Sequence, residues 1–137
     1  LSYEQAVFTF AQPDLVGVKD SLKVTQGTAS NPFPTLTARF ANIGNASAVN
    51  AWIDIYDGPP NDGGVLLSQK SLPLLPGETG MITHIWDSNE GMHTFWVVPS
   101  TENTFLDANY SNDALSKTIN ICIPPAGTPG NCPQPRP

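Results

Sequence analysis

The stretch from Leu106 to Leu115, LDANYSNDAL, places two Asp and two Asn within ten residues. Asp107, Asn109 and Asp113 offer oxygen atoms to a calcium ion, and Glu102 lies close enough in the sequence to add another. Calcium takes six to eight oxygen ligands, and this spacing is not that of an EF-hand loop. Asp and Asn side chains also stabilise tight turns by bonding backbone N–H groups. The sequence therefore favours an Asx-rich turn, leaves calcium open and predicts no other cofactor.

Two glycosylation sequons are present, Asn-Tyr-Ser at Asn109 and Asn-Ala-Ser at Asn45. Both fall in predicted loops, where a glycan acceptor has to lie. Such tripeptides also arise by chance, so glycosylation at either Asn is left open.

Catalytic chemistry finds little support in the sequence. His84 and His93 lie within predicted strands among apolar residues, and no G-x-S-x-G motif or glycine-rich phosphate loop is present. The nearest pair of carboxylates, Asp54 and Asp57, is predicted to lie on a solvated strand face and at a turn. The sequence therefore predicts that the chain is not an enzyme and has no catalytic residues.

The composition restricts the partners of the chain. Its formal net charge is −6, and its six Lys and Arg residues form no run. This balance argues against binding nucleic acid or anionic lipid through a basic patch. The sequence has no apolar stretch near the roughly 18 residues that a membrane helix needs. It begins at Leu1, which suggests a processed or excised segment.

The two cysteines, Cys122 and Cys132, enclose a short segment rich in Pro and Gly. A disulfide between them suits an oxidising compartment, and two free thiols in a tail are the alternative. The predicted location is extracellular or at the cell surface.

Seven or eight short segments with strand character are separated by clusters of Gly, Pro and Asn. The clearest is TLTARFANIG, in which Leu36, Ala38 and Phe40 alternate with polar residues. The segment DLVGVKDSLKVTQG is predicted to be a broken edge strand. Turn spacings of about 8–12 residues are typical of an antiparallel β-sandwich. The predicted fold class is therefore all-β, with seven to eight strands and extended terminal arms.

Five motifs carry a resemblance to a known family: DLVGV, ARFANIGNASA, LPLLPGETGMITHIW, GMHTFWVV and DANYSND, in that order. Over Asp14 to Ile121 the sequence resembles CARDB domains, a cell-adhesion-related module of bacteria and archaea. The resemblance implies an immunoglobulin-like sandwich with an adhesive, spacer or assembly role, and no catalytic residues. The predicted organisation is an N-terminal arm or extra strand over residues 1–13, the sandwich over 14–121 and a Pro-rich tail over 122–137.

The resemblance also predicts an aromatic patch. In AVNAWIDIYDG, the period of two puts Val49, Ala51, Ile53 and Ile55 on one face and Trp52, Asp54 and Tyr56 on the other. The family pattern directs His93, Phe95 and Val97 inward and Trp96 outward, and it places these two strands side by side. Trp52, Tyr56 and Trp96 are thus predicted to form an exposed interface or sugar-binding patch, unless an arm of the chain covers them. The predicted core comprises Leu36, Phe40, Ile53, Ile55, Phe95 and Val97.

The arm YEQAVFTF, with Tyr3, Ala6, Phe8 and Phe10, is surplus to the resembling region. A surplus strand can pair with a sheet edge of its own chain or of a neighbour. The sequence therefore predicts a non-catalytic structural or adhesive module, whose partners are copies of itself or other surface proteins. Self-assembly into a filament through the arms is the sharper form of this prediction, and a carbohydrate-binding module is the alternative.

Overall fold

The computed structural model describes residues 12–28, 30–49, 51–86, 90–100 and 114–122, and within them it contains eight β-strands. In chain order the strands are β1 (Leu15–Gly17), β2 (Lys23–Thr25), β3 (Thr35–Asn42), β4 (Trp52–Asp57), β5 (Val65–Ser71), β6 (Thr79–Ile85), β7 (Gly91–Pro99) and β8 (Leu115–Ile121). They form two antiparallel sheets, which confirms the predicted fold class.

The first sheet is built around β3, which pairs with β6 on one side and with both β1 and β2 on the other. A turn closed by the bond from the Ser21 backbone N–H to the Val18 carbonyl separates β1 from β2. This break confirms the predicted interruption of the edge strand. The alternation of β3 then directs Leu36, Ala38 and Phe40 inward, because successive side chains point to opposite faces.

The second sheet has the strand order β5–β4–β7–β8. The pairing of β4 with β5 shifts between Ile55 and Tyr56, so a bulge interrupts that ladder. Together the two sheets have the arrangement of an immunoglobulin-like sandwich.

The core lies between the two sheets. All six predicted core residues are at most 2% exposed, and Leu15, Ile82 and Ile121 join them. Burying one such side chain stabilises the fold by about 1.5–3 kcal/mol. Because the core draws on six of the eight strands, namely β1, β3, β4, β6, β7 and β8, it fixes the positions of both outer faces.

Val49 was predicted to share the buried face of β4, and this is wrong. It lies before β4 begins and is 61% exposed, whereas Ala51, Ile53 and Ile55 are buried. The reason is an isolated bridge between Ala48 and Leu74, which ends the regular alternation before the strand starts.

Several predictions concern residues outside the described ranges. They are the donated-strand residues Tyr3, Ala6, Phe8 and Phe10, the calcium group Glu102, Asp107, Asn109 and Asp113, and Cys132. The terminal arms, the Asn109 sequon and the disulfide therefore stay predictions. Among the described residues no helix long and apolar enough to cross a membrane is found.

Candidate functional site

The outer face of the second sheet carries the predicted aromatic patch. Strands β4 and β7 are paired neighbours, and Tyr56 lies directly opposite Trp96 in their register. Trp52 lies four residues before Tyr56, so the period of two puts it on the same face. The structure thus brings the three aromatic side chains onto one face, as the sequence predicts.

Asp54 lies at the centre of this face and is only 4% exposed, so its predicted place on a solvated face is wrong. The register places Gln69 of β5 on one side of it and Val98 of β7 on the other. The Gln69 amide donates to Asp54 Oδ1 at 2.8 Å and lies 3.1 Å from the Ser100 hydroxyl. Such partners offset the cost of removing a carboxylate from water, which is why Asp54 can be buried here.

The aromatic side chains are less exposed than the sequence suggests. Trp52 is 38% exposed, and Tyr56 and Trp96 are half-buried. The indole nitrogen of Trp96 is buried and has no hydrogen-bond partner among the described residues. A buried donor without a partner costs about 1–3 kcal/mol. Trp52 is therefore the most accessible of the three aromatic side chains.

A second cluster surrounds His93, at the end of β7 where the chain enters it. The His93 Nδ1 atom lies 3.0 Å from Asp57 Oδ2, and its ring stacks on Phe95. Trp86 contacts both rings edge-on, with centroids 4.8 Å from His93 and 4.7 Å from Phe95. A His–carboxylate pair can orient an imidazole for base catalysis. Here the surrounding rings make it part of the packing between the sheets.

His84 lies on β6 opposite Leu36, so it shares the inward face. Burial lowers the pKa of His84 below its ordinary value of 6.5, and the charge of Lys70 lowers it further. Both effects disfavour the imidazolium form. His84 therefore lies at the margin of the sandwich, where its charged form is disfavoured.

The sequon residue Asn45 is exposed in the loop between β3 and β4. Its side-chain oxygen accepts a bond of 2.8 Å from the Gln12 backbone N–H. Its glycosylation stays a prediction. No group of three or more His, Cys, Asp or Glu that could hold a metal ion occurs within the described ranges.

Sequence reasoning did not identify the hydrogen-bonded group of Asp54, Gln69 and Ser100. It also did not predict that Asp57 pairs with His93. The only signal in the sequence was positional, since Asp57 and His93 lie near facing ends of strands that the resemblance places side by side. Gln69 gives no signal, because its position opposite Asp54 depends on the bulge in the β4–β5 ladder.

Comparison with known proteins first defines the class of fold. No family model and no curated protein matches the sequence. The structure is similar to a CARDB domain from Pyrococcus furiosus, with a TM-score of 0.65 and 20% identity, covering 82% of this chain and 97% of that one. A crystal structure of a P. furiosus CARDB domain in complex with two metal ions gives a TM-score of 0.64 and 21% identity, over 89% of this chain and 100% of that one.

A domain of a predicted cell surface protein from Methanosarcina acetivorans is similar to the same degree. Its TM-score is 0.64 at 23% identity, covering 81% of this chain and 93% of that domain. A β-glucosidase from Bifidobacterium adolescentis also matches, with a TM-score of 0.54 at 16% identity, over only 18% of the enzyme. The chain therefore has the CARDB type of immunoglobulin-like sandwich, and the predicted resemblance is confirmed at the level of the fold.

Proposed function

We propose that this chain is a non-catalytic structural or adhesive module of a cell surface, and that copies of it associate by strand donation. A domain of a predicted cell surface protein has a similar fold over most of both chains, which supports the surface role. The single observation that carries the self-association is the edge strand β6.

Strand β6 has the character of an open edge. Within the described residues it pairs with β3 alone, in a continuous register of seven residue pairs without a bulge. Its sequence, TGMITHI, contains no Lys, Arg, Asp, Glu or Pro, and Met81 and Ile85 are more than half exposed. Natural proteins usually protect an edge with charges, Pro or bulges. An edge without these devices suits an added strand.

The edge strand β8 of the second sheet differs from β6, because a side chain bonds to its backbone groups. The Gln26 amide donates to the Asn120 carbonyl at 2.7 Å, and its oxygen accepts a bond of 3.2 Å from the Cys122 N–H. One side chain thus satisfies two backbone groups at the end of β8. This contrast supports β6 as the acceptor and the segment YEQAVFTF as the donated strand.

The test removes the donor and the acceptor separately. The Trp86 N–H bonds to the Pro34 carbonyl, so the alternation of an antiparallel ladder directs the Thr83 N–H away from β3. Thr83→Pro therefore removes a free edge donor and keeps the β3 ladder, and deletion of residues 1–10 removes the arm. We expect the unmodified chain to form longer polymers as its concentration rises and each altered chain to stay monomeric. An equimolar mixture of the two altered chains should stop at a 1:1 complex.

Light scattering coupled to size exclusion, with electron microscopy of the same fractions, measures these states. Thr83→Val keeps the N–H and is the matched control, which we expect to assemble as the unmodified chain does. Elongation by the chain that lacks residues 1–10, or an unmodified chain that is monomeric at every concentration, contradicts strand donation.

The alternative, a carbohydrate-binding module, draws its support from the shared face of Trp52, Tyr56 and Trp96, because aromatic rings stack on sugars. Only Trp52 among them reaches 38% exposure, so this support is the weaker. Glycan binding that is lost in Trp52→Ala, without loss of assembly, favours this alternative.

A further inference from the structure

The cationic side chains gather in one region of the fold. The described residues contain five Lys and Arg, at positions 19, 23, 39, 70 and 117. Three of them, Lys19, Lys23 and Arg39, line one cavity of about 320 Å³ in the gap between β1 and β2. Lys117 lines a neighbouring cavity of about 280 Å³, and the two cavities share Asp20. Four of the five charges thus surround the segment that joins β1 to β2.

Backbone geometry fixes the floor of the larger cavity. The Ser21 hydroxyl accepts a bond of 3.0 Å from the Arg39 N–H, for which it replaces a ladder partner. It also lies 3.2 Å from the Arg39 carbonyl, which accepts a bond of 2.9 Å from the Val18 N–H. Asp20 adopts a φ of 64°, a left-handed conformation that Asp tolerates better than most residues. This turn places Lys19 at the rim, while Lys23 and Arg39 project from the outer face of the first sheet.

The three cations around the larger cavity have no ion-pair partner among the described residues, although the chain has twelve Asp and Glu. Among the described residues, Asp20 is the only acidic one that lines either cavity. The lining of the larger cavity thus holds three cations against the one carboxylate of Asp20, and a concave site with such an excess concentrates anions even when the whole protein is acidic. At about 0.1 M salt the field of a charge extends roughly 10 Å, so a ligand in the cavity interacts mainly with the charges that line it rather than with the net charge of −6.

We propose that this cationic cavity binds the carboxylate of acidic sugar units, with Arg39 and Lys23 as the main contacts. A guanidinium binds a carboxylate through two parallel hydrogen bonds, and the Thr37 side chain in the lining offers a hydroxyl to sugar oxygens. The adjoining cavity at Lys117 offers a second charge to the next unit of a chain. The proposal extends the adhesive role proposed above by giving it a ligand class.

An acidic protein segment fits the cavity less well. Protein interfaces are enriched in aromatic residues and depleted in Lys at their centres. As far as the structure describes the chain, the lining of this cavity contains two Lys and an Arg, no aromatic residue, and Val18, Ala38 and Met81 as its apolar residues. A small, polar and charged ligand suits it better.

The experiment is calorimetric titration of the full chain with a galacturonic acid trimer, and with the same trimer carrying methyl-esterified carboxylates as the neutral probe. We expect the acidic trimer alone to bind, Arg39→Gln to weaken its affinity about tenfold, and Lys23→Gln several-fold. Lys70→Gln removes an equal charge that does not line the cavity and is the matched control, for which we expect less than a twofold change. In NMR spectra recorded during the titration, backbone amide chemical shifts that change only at Thr37, Arg39 and Ser21 locate the site.

Three results overturn the proposal: no binding of the acidic trimer, equal binding of the esterified trimer, or a loss in Lys70→Gln as large as in Arg39→Gln. Polyglutamate that binds as tightly as the sugar also overturns the assignment to sugars. The titration uses dilute monomer, so its failure can be told apart from failure of the assembly experiment, which tests strand donation.

Discussion

At the scale of single residues, Asn42 shows how one amide joins three parts of the chain. It is fully buried, and its oxygen accepts bonds of 3.0 Å from the backbone N–H groups of Asp14 and Gly44. Its amide nitrogen donates to the carbonyls of Ala46 at 2.7 Å and Leu74 at 3.1 Å. Asn42 therefore connects the entry to β1, the β3–β4 loop and the β5–β6 loop.

Replacing Asn42 with Asp keeps the shape of the side chain and removes both donors. The carbonyls of Ala46 and Leu74 then lose the Asn42 donor and face a carboxylate, and among the described residues only the Leu74 carbonyl keeps a second donor, the Ala48 N–H. We therefore expect the free energy of unfolding to fall by about 2–4 kcal/mol. Urea denaturation measures the change. Asn120→Asp, at an exposed position of β8, is the control and should change stability by about 0.5 kcal/mol or less. Equal effects of the two substitutions contradict this role for Asn42.

Asp54 shows where residue-level reasoning from the sequence stops. Its face was predicted correctly from the period of two, but its burial was not. A carboxylate in an alternating strand normally marks the solvated side, because an unpaired buried charge is costly. Asp54 is buried here because the side-chain amide of Gln69, fifteen positions later in the sequence, donates a hydrogen bond to it across the β4–β5 pair. Such partners depend on register, and a bulge makes the register unreadable from the pattern.

At the scale of elements, the buried residues of the strands could be predicted from the sequence, whereas the cavity beside them could not. The alternation in β3 and β4, together with the family pattern for β7, was enough to predict all six core residues, because a half-buried strand has to alternate. The break between β1 and β2 was also visible in the sequence. That the break opens a cavity lined by Lys19, Lys23 and Arg39 was not, since these residues are scattered along the chain and only the β2–β3 pairing brings them together.

The two sheets are coupled electrostatically at one margin. His84 belongs to β6 of the first sheet and Lys70 to β5 of the second, and the pKa of His84 is lowered by burial first and by Lys70 second. The folded chain therefore holds fewer protons at His84 than the unfolded chain does between the lowered pKa and 6.5. It follows that His84 destabilises the fold progressively as pH falls below about 6.5, with no such loss above it.

Lys70→Gln removes the second of these causes and leaves burial in place. We expect the pKa of His84 to rise towards 6.5 without reaching it, and the loss of stability between pH 7 and pH 5 to shrink. A titration of the imidazole resonances followed by NMR gives the pKa, and urea denaturation at both pH values gives the stability. Lys117→Gln is the control, because Lys117 lies on β8 at the far edge of the second sheet. An unchanged pKa in Lys70→Gln contradicts the coupling.

At the scale of the whole molecule, the two outer faces of the sandwich differ in chemistry. The outer face of the second sheet combines aromatic residues with the buried polar centre at Asp54, whereas that of the first sheet combines Lys23 and Arg39 with threonines. One core holds both faces in fixed positions. The edge at β6 and the cationic cavity both belong to the first sheet, so the proposed assembly and the proposed ligand binding both involve one half of the molecule.

These two properties should respond to salt in opposite directions. Copies of a chain with net charge −6 repel one another, and salt screens this repulsion, so strand donation should strengthen as NaCl rises from 20 to 300 mM. Binding of an acidic sugar at Lys23 and Arg39 depends on attraction, so its affinity should fall about tenfold or more over the same range. Light scattering and calorimetry at matched salt concentrations measure the two trends, with the esterified trimer and the chain lacking residues 1–10 as controls. Parallel trends would show that the net charge, rather than the separate local chemistry of the edge and the cavity, governs both interactions.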